Sequence, residues 1–325
     1  MGRQHSDTEA ITTILNEDFG FGVEHVDLSV YKDAFARIDL NGVAAIDLRD
    51  CRGWQKHFDF FKEQLGVLQE RIRTTGRAVP IINPPEMFEW VASKEYLAEF
   101  KNRGIAIVET EFLTRTAAAD HWPDIFSLIN KNPDVRLVLK PARGSRAEQF
   151  VFVTKRGEDA FELSAPKPFG ESSSEALLTF TGEALKARLK SYAMEMWRAQ
   201  QPAILIQQFC RGIEISAVLI GSRAHYVRRT AGPEGIAHDD FGGTNLPEVN
   251  PHPLVVALAM QVKEALPDEL RDCPFVRVDM LKDGDNPPVL LEVEAGSARL
   301  FLIETARTNE YADRFESASS RDAGV

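Results

Sequence analysis

The sequence FVRVDMLKDGDNPPVLLEVEA, residues 275–295, predicts two strands joined by a polar turn. Successive side chains of a strand point to opposite faces, so Arg277 and Asp279 share one face of the first strand. By the same rule, Glu292 and Glu294 share one face of the second strand. The opposite faces would carry the apolar residues Val276, Val278, Met280, Val289, Leu291 and Val293. Such a hairpin would rest its apolar side on a core.

If the two charged faces coincide, an arginine and three carboxylates meet at one point. Paired strands lie ~4.8 Å apart and same-face neighbours on one strand ~7 Å apart, so the carboxylates could share one or two cations. Carboxylate oxygens suit Mg²⁺, and a cation would offset the repulsion among three like charges. The alternative is the solvated outer face of an edge hairpin, and the hairpin alone leaves both interpretations open.

The chain of 325 residues has a formal net charge of -11, from 38 Lys and Arg against 49 Asp and Glu. This balance argues against nucleic acid or an anionic membrane as the main partner. The cysteines, Cys51, Cys210 and Cys273, are too widely spaced to indicate a disulfide framework or a zinc site, and they favour the cytoplasm. We expect no signal peptide, because no apolar segment follows the first charges, and no membrane span.

The N-terminal part of the chain alternates between strand and helix patterns. A helix is predicted at 7–19, and strands at 43–48 and 78–83 flank a second helix at 54–72. This second helix is indicated by the helical spacing of Phe58, Phe61, Leu65 and Leu68. The alternation predicts a parallel α/β domain.

The rest of the chain predicts a mixture of helices and antiparallel strands. Helices are expected at 94–103 and 254–266, strands at 105–110, 135–140, 150–153 and 203–209, a loop at 165–176, and a hairpin that turns at Gly221 and Ser222. Lys140 ends the apolar run 135–139, where a lysine can reach a phosphate; an ordinary surface lysine is the alternative. The sequence has no P-loop, no dinucleotide-binding G-x-G-x-x-G after a strand and no G-x-S-x-G nucleophile motif.

Four segments, in order, resemble the motifs of the ATP-grasp superfamily, and the resemblance covers about residues 83–302. They are Asn83 to Leu97, Val138 to Pro141, Leu205 to Glu214, and the two halves of the hairpin at 277–279 and 292–294. The pattern W-x-x-x-K-x-Y-L from Trp90 and the run Leu300-Phe301-Leu302 are most similar to the branch that contains D-cycloserine synthetase and relatives of glutathione synthetase. The chain departs from the pattern at Glu294, where the family has asparagine, and at Ala298-Arg299, where the branch has Pro-Ser.

The resemblance implies an α/β chain with the ATP-grasp fold. An N-terminal parallel α/β domain would span residues 1–93, a central lid subdomain 94–200 and a C-terminal subdomain 201–325. The last two would be α+β subdomains that sandwich ATP. Helix 7–19 has no apolar strand before it, although the family's first domain normally opens with one.

The resemblance also implies the residues that would bind metal and phosphate. Asp279, Glu292 and Glu294 would hold Mg²⁺, while Lys94 and Lys140 would hold the α- and β-phosphates of ATP. Arg277 would act in catalysis together with Lys140, by stabilising the acyl phosphate and the tetrahedral oxyanion.

Further positions are implied for the nucleoside and the substrates. Gln207 and the backbone near Gln208, Phe209 and Cys210 would bind adenine, and Glu214 the ribose; ordinary strand and loop residues are the alternative for Gln207 and Glu214. Less specific candidates are Arg228, Arg229, Gly243 and Arg299 for the substrates, and Ser145 and Arg146 for closure over the phosphates.

The implied activity is that of an ATP-dependent carboxylate–amine ligase. A carboxylate would attack the γ-phosphate of ATP, ADP would leave, and an amine would displace phosphate from the acyl phosphate to give an amide. The partners would be a small amino-acid-like carboxylate and an amine, with natural-product biosynthesis and a homodimer as further expectations. A small-molecule kinase on the same fold is one alternative, and a non-catalytic nucleotide-binding subunit is another, although the grouping of Arg277 with Asp279 and Glu292 argues against the latter.

Overall fold

The computed structural model describes residues 7–17, 22–23, 34–48, 51, 54–55, 57–115, 136–144, 149–164, 178–210, 212–232, 235–238, 242–296 and 298–302. Within these ranges the strands form one two-stranded, one five-stranded and one six-stranded sheet. None of the helices in this part of the chain has both the length and the apolar character of a membrane span. The candidates Ser145 and Arg146 and the predicted loop at 165–176 lie outside the described residues.

The N-terminal part contains the predicted parallel strand–helix–strand unit. Its elements are α1 (Asp7–Glu17), α2 (Ala34–Arg37), β1 (Ile46–Asp47), α3 (Phe58–Thr75) and β2 (Ile81–Ile82). β1 and β2 pair in parallel, which confirms that prediction. The buried face of α3 consists of Phe58, Phe61, Leu65 and Leu68, as their spacing predicts. The helix ends at Gly76, whose φ of 67° is the left-handed conformation that glycine adopts easily.

Two short helices lead into the six-stranded sheet. The elements in chain order are α4 (Pro85–Val91), α5 (Tyr96–Asn102), β3 (Thr110–Thr114), β4 (Arg136–Pro141), β5 (Val151–Lys155), β6 (Phe161–Ser164), β7 (Leu178–Phe180), α6 (Gly182–Arg198) and β8 (Ala203–Gln208). The antiparallel strands are ordered β3-β8-β4-β5-β6-β7. Helix α6 packs on one face, where Leu185 and Leu189 contact a core that includes Leu137 and Leu139. Because side chains alternate, Lys140 lies on the opposite face.

Strand β8 joins the sheet formed by the residues before it. It pairs with β3 on one side and with β4 on the other. The sheet therefore continues past the subdomain limit expected between residues 200 and 201. The domain limits themselves stay predictions.

The five-stranded sheet contains the predicted hairpin at residues 275–295. Its elements are β9 (Ile213–Ile220), β10 (Arg223–Thr230), β11 (Thr244–Pro247), β12 (Phe275–Lys282) and β13 (Val289–Glu294), with α7 (Pro253–Glu264) before β12. The order is β11-β10-β9-β12-β13, with antiparallel neighbours. The predicted hairpin at Gly221 and Ser222 is confirmed, since Ile220 pairs with Arg223. Helix α7 packs against one face of this sheet through a shared core.

Strand β13 contains a bulge that the alternation rule misses. Asp279 is opposite Glu292, but Met280 is opposite Leu290, so Leu291 is an extra residue. Leu290 and Val293 are the core residues, 0% and 2% exposed. The predicted places of Val289 and Leu291 on the apolar face are therefore wrong, because a bulge breaks the strict alternation.

The strand predicted at 105–110 begins only at Thr110. The preceding residues lie along the outer edge of β13 instead. The amide of Val108 donates to the carbonyl of Leu290 at 2.9 Å, and the amide of Leu290 donates to the carbonyl of Ala106 at 2.8 Å. An edge strand has unpaired backbone groups that need partners. Here the apolar residues before β3 supply them.

Candidate active site

One face of the five-stranded sheet is divided into an apolar half and a charged half. In the apolar half, Val218, Val227 and Phe275 pack with Ile11 and Leu15 of α1. The charged half extends across β10, β9, β12 and β13. Helix α1 thus covers part of this face and leaves the charged part to form a site.

The predicted coincidence of the two charged faces of the β12–β13 hairpin is confirmed. The register pairs Arg277 with Glu294 and Asp279 with Glu292. Oxygen atoms of Asp279, Glu292 and Glu294, which we call the carboxylate cluster, all lie within 4.8 Å of one another. The alternative of a solvated outer face is wrong, because Arg277 and Asp279 are 5% and 0% exposed.

Arg277 links two members of the cluster. Its Nη2 lies 2.8 Å from Oδ2 of Asp279 and 2.9 Å from Oε2 of Glu294. Its Nη1 donates to the backbone carbonyl of Arg299 at 3.0 Å. Burial acts to lower the pKa of Arg277, but Asp279 and Glu294 more than offset it, so the pKa is raised and the guanidinium stays charged.

Asp279 is held by two more groups, one on β9 and one on β10. The Ser216 hydroxyl donates to Oδ1 at 2.6 Å, and Nη1 of Arg229 lies 3.8 Å from Oδ2. The sequence interpretation missed Ser216. The signal was its place in the strand at 213–220, two residues after Glu214 and therefore on the same face.

Two lysines act on the cluster: Lys140 from β4 of the six-stranded sheet, and Lys94 from the segment between α4 and α5. Nζ of Lys94 lies 3.5 Å from Oε2 of Glu292 and donates to the carbonyl of Gly144 at 2.7 Å. Burial lowers the pKa of Lys140 to about 8, with Glu292 opposing and Lys94 adding to the shift. Lys94 therefore contacts the carboxylate cluster, and the charge of Lys140 acts on Glu292.

The carboxylates of this site have very different proton affinities. Burial raises the pKa of Glu294 to about 7, against the effect of Arg277. Burial also raises the pKa of Glu214 to about 7, against the effect of Arg229. For Glu292, burial acts in the same direction, but Lys94 and Lys140 outweigh it and the pKa falls to about 2. A cation held by the carboxylate cluster would therefore compete with a proton on Glu294 near neutral pH.

The predicted ribose residue Glu214 pairs with Arg229, its neighbour on β10. Nε of Arg229 is buried and has no hydrogen-bond partner in the part of the chain described by the structure. Arg228 points to the opposite face of the sheet. Its Nε lies 3.5 Å from Oε2 of Glu248, and its side chain is 44% exposed. Adjacent residues of a strand face opposite sides, so only one member of this arginine pair joins the charged half of the face.

The predicted adenine residues lie at the end of β8. The side chain of Gln207 is 3% exposed and donates to the Thr110 hydroxyl at 2.8 Å. The Phe209 ring contacts the Phe152 ring edge-on at 5.5 Å. Cys210 follows, half-buried, with its thiol 3.7 Å from the carbonyl of Gln208. The adenine role of Gln207, Gln208, Phe209 and Cys210 stays a prediction.

The remaining candidates have clear structural surroundings. A Cβ at Gly243 would lie 2.8–2.9 Å from backbone atoms of His238 and Thr230, so the loop requires glycine there. Guanidinium carbons of Arg299, Arg277 and Arg229 lie 5.0, 5.5 and 5.6 Å from the centroid of the Phe301 ring. Phe301 itself has a φ of 54°, which is unusual for a residue with a large side chain. The run Leu300-Phe301-Leu302 stood out in the sequence, but its local pattern does not predict the three arginines around Phe301.

The donor set of the carboxylate cluster fits Mg²⁺. It consists of oxygen atoms only, which is what this hard cation prefers. Three carboxylate oxygens within 4.8 Å are close enough to coordinate one ion. Nζ of Lys94 lies beside them, 3.5 Å from Oε2 of Glu292.

Three solved structures resemble this chain along most of its length. D-cycloserine synthetase DcsG has a TM-score of 0.63 and 16% sequence identity, with 88% of this chain and 86% of that chain covered. Macrocyclase MdnC bound with precursor peptide MdnA, from Microcystis aeruginosa MRC, has a TM-score of 0.56 and 12% identity, with 98% of each chain covered. The ATP-grasp ligase PsnB complexed with precursor peptide PsnA2 and AMPPNP has a TM-score of 0.51 and 14% identity, with 98% and 97% covered.

No protein-family model and no curated protein matches the sequence. At 12–16% identity, the structural matches establish the fold and not the activity. They agree with the fold that the four ordered motifs predicted. The chain has the ATP-grasp fold.

Proposed function

We propose that this protein is an ATP-dependent carboxylate–amine ligase that acts on a small amino-acid-like substrate. The observation that carries the proposal is the meeting of Asp279, Glu292 and Glu294 with Arg277 and Lys94 at one point. A solvated surface has no reason to bury an arginine among three carboxylates. A site that handles phosphate and a cation does.

The carboxylate cluster would hold Mg²⁺. When bound, the ion would neutralise charge on the phosphoryl group during transfer. Glu294 gives the cluster one more negative charge than an asparagine would. The proton that Glu294 retains near pH 7 would leave as the ion binds.

The cationic side chains would bind phosphate and the reacting carboxylate. Lys94 and Lys140 would hold the α- and β-phosphates from the side of the six-stranded sheet. Arg277 would stabilise the acyl phosphate and the tetrahedral oxyanion, because its guanidinium stays charged at any working pH. Arg229, whose Nε is buried without a partner among the described residues, would donate to a substrate or phosphate oxygen.

The nucleoside would bind at the end of β8. Backbone groups near Gln208 and Cys210 would bind adenine, and Glu214 would accept hydrogen bonds from the ribose. The substrate carboxylate would attack the γ-phosphate, ADP would leave, and an amine would then displace phosphate to form an amide.

All three cysteines are free thiols, which supports a protein that works in the cytoplasm.

The test is a phosphate-release screen of the purified protein with MgATP, amino-acid-like carboxylates and amines, followed by mass spectrometry. We expect phosphate release that needs both a carboxylate and an amine, and a product whose mass is their sum minus water. Phosphorylation of a hydroxyl without an amine would instead indicate a kinase. Turnover of no carboxylate–amine pair in a broad screen would contradict the ligase proposal.

A matched pair of variants connects this activity to the cluster. Glu292→Gln should slow turnover by two to three orders of magnitude, the usual cost of a lost electrostatic contact to the transition state, about 3–4 kcal/mol. Glu162→Gln makes the same change in β6, outside the carboxylate cluster. There, Oε2 of Glu162 lies 2.6 Å from Nε of Arg156. The control should keep its activity. Equal activity in both variants would remove the cluster from the reaction.

A further inference from the structure

Strand β13 supplies two of the three clustered carboxylates although it is the last strand of its sheet. Its inner side pairs with β12, and none of the strands in the described ranges pairs with its outer side, where residues 106–108 bond to Leu290. In an antiparallel pair, the amide and carbonyl of one residue point to the same side. Something other than a strand must therefore hold the outward backbone groups of β13.

A single tyrosine hydroxyl holds the backbone between the two glutamates. The hydroxyl of Tyr96 accepts from the amide of Val293 at 2.9 Å and donates to the carbonyl of the same residue at 3.0 Å. Both groups of Val293 therefore point outward, and the groups of Glu292 and Glu294 point toward β12. The two carboxylates flank Val293, whose outward amide and carbonyl are both held by the one hydroxyl of Tyr96.

The ring of Tyr96 has little freedom to move. It is 3% exposed and stacks on the Trp90 ring at 4.7 Å. The Phe100 ring packs against it edge-on at 5.8 Å. Burial, followed by the effect of Glu292, raises the pKa of Tyr96 well above its usual value, so the hydroxyl keeps the proton it donates.

We propose that Tyr96 is a positioning residue of the carboxylate cluster, whose hydroxyl fixes Val293 and thereby sets the spacing of Glu292 and Glu294 around a divalent cation. This inference rests on the proposed function, because it assumes that the cluster binds a cation. Lys94, two residues earlier, contacts Glu292 directly. The short segment 94–96 thus controls the cluster both through charge and through the backbone.

The test is binding of Mn²⁺ to the purified full chain, measured by electron paramagnetic resonance without nucleotide and with ADP. Tyr96→Phe removes only the hydroxyl and should weaken Mn²⁺ binding by about tenfold or more, as the loss of a group that orients metal ligands does. Tyr192→Phe is the matched control. Its hydroxyl is also buried and donates to a backbone carbonyl, that of Gln149, at 2.7 Å. It should lose stability without changing the Mn²⁺ affinity.

The outcomes of this test distinguish the positioning role of Tyr96 from the proposed ligase activity. Equal Mn²⁺ affinity of Tyr96→Phe and the wild type would overturn the positioning role and leave the ligase proposal standing. A tenfold effect in a protein that ligates nothing would uphold the positioning role and overturn the ligase. No Mn²⁺ binding by the wild type would overturn both.

A measurement on the wild type keeps the inference testable if Tyr96→Phe does not fold. Hydrogen exchange followed by NMR should show the amide of Val293 strongly protected, because it donates to a buried hydroxyl. Exchange of this amide at the rate of an open backbone position would overturn the role of Tyr96.

Discussion

Glu292 and Glu294 lie two residues apart on one face of β13, and their pKa values move in opposite directions. The pKa of Glu292 falls to about 2, because Lys94 and Lys140 outweigh its burial. Its charge therefore stabilises the fold above the unfolded value of about 4.5, and this stabilisation is lost as the pH falls through about 2. Burial raises the pKa of Glu294 to about 7. Its contribution is complete below about 4.5 and is lost as the pH rises through about 7.

The same substitution at these two positions should therefore change stability in opposite directions. At pH 8 with EDTA, Glu292→Gln should lower the free energy of unfolding, because Lys94 loses its partner. Glu294→Gln should raise it by about 1–2 kcal/mol; the 30% exposure of that side chain keeps the gain below the full pKa shift. Urea unfolding followed by circular dichroism measures both.

The pH dependence supplies the internal control for this pair. At pH 5 Glu294 is protonated in the wild type, so the gain from Glu294→Gln should shrink toward zero. A gain that is equal at pH 5 and pH 8 would show that packing, and not charge, is responsible.

The helices and strands that local periodicity predicted are those whose faces are set by contacts close in sequence. The hairpin at 275–295 and its meeting carboxylates follow from alternation along two strands, and the helical spacing of Phe58 and Phe61 placed α3. The features that the sequence did not predict depend on contacts between distant parts of the chain. The bulge at Leu291 and the two bonds from Tyr96 to Val293, which is 197 residues away in sequence, leave no trace in a local pattern.

The connection between β10 and β11 is closed by a tight approach at Gly243. Its amide donates to the carbonyl of His238 at 2.9 Å, and a Cβ would meet backbone atoms at 2.8–2.9 Å. Backbone cannot rotate away as a side chain can, so Gly243→Ala should cost about 1–3 kcal/mol of unfolding free energy. Thermal and urea denaturation measure this loss.

A second glycine provides the comparison for that substitution. Gly66 lies within α3 and has open space where a Cβ would be. Gly66→Ala should stabilise the protein by about 0.5–1 kcal/mol, because alanine is the better helix former. If Gly243→Ala were also neutral or stabilising, the loop would have room that the structure does not give it.

At the scale of the whole molecule, the charged half of the five-stranded sheet and the Lys140 face of the six-stranded sheet act on one another. Burial lowers the pKa of Lys140 to about 8, and Glu292 and Glu214 oppose that shift. Burial acts to raise the pKa of Glu292, but Lys94 and Lys140 outweigh it. The charges of one sheet therefore depend on the other. A ligand that carries both phosphate and a divalent cation would satisfy the two faces together.

Magnesium and ADP together should therefore stabilise the native chain more than either does alone. A ligand that binds only the native state adds RT ln(1 + [L]/Kd), about 2.7 kcal/mol at a hundredfold excess over Kd, which raises the melting temperature by several degrees. Lys140→Met should lose most of this gain, because the variant lacks a cation that would meet the phosphates. Its ligand-free stability should also fall, because Glu292 loses a neighbouring positive charge, so the gain is measured from the ligand-free melting temperature of each variant. Lys155→Met, the same change in β5 of that sheet, should keep the full gain. An unchanged melting temperature with millimolar magnesium and ADP would mean that the two faces do not enclose a nucleotide, and the proposed ligase would lose its ATP site.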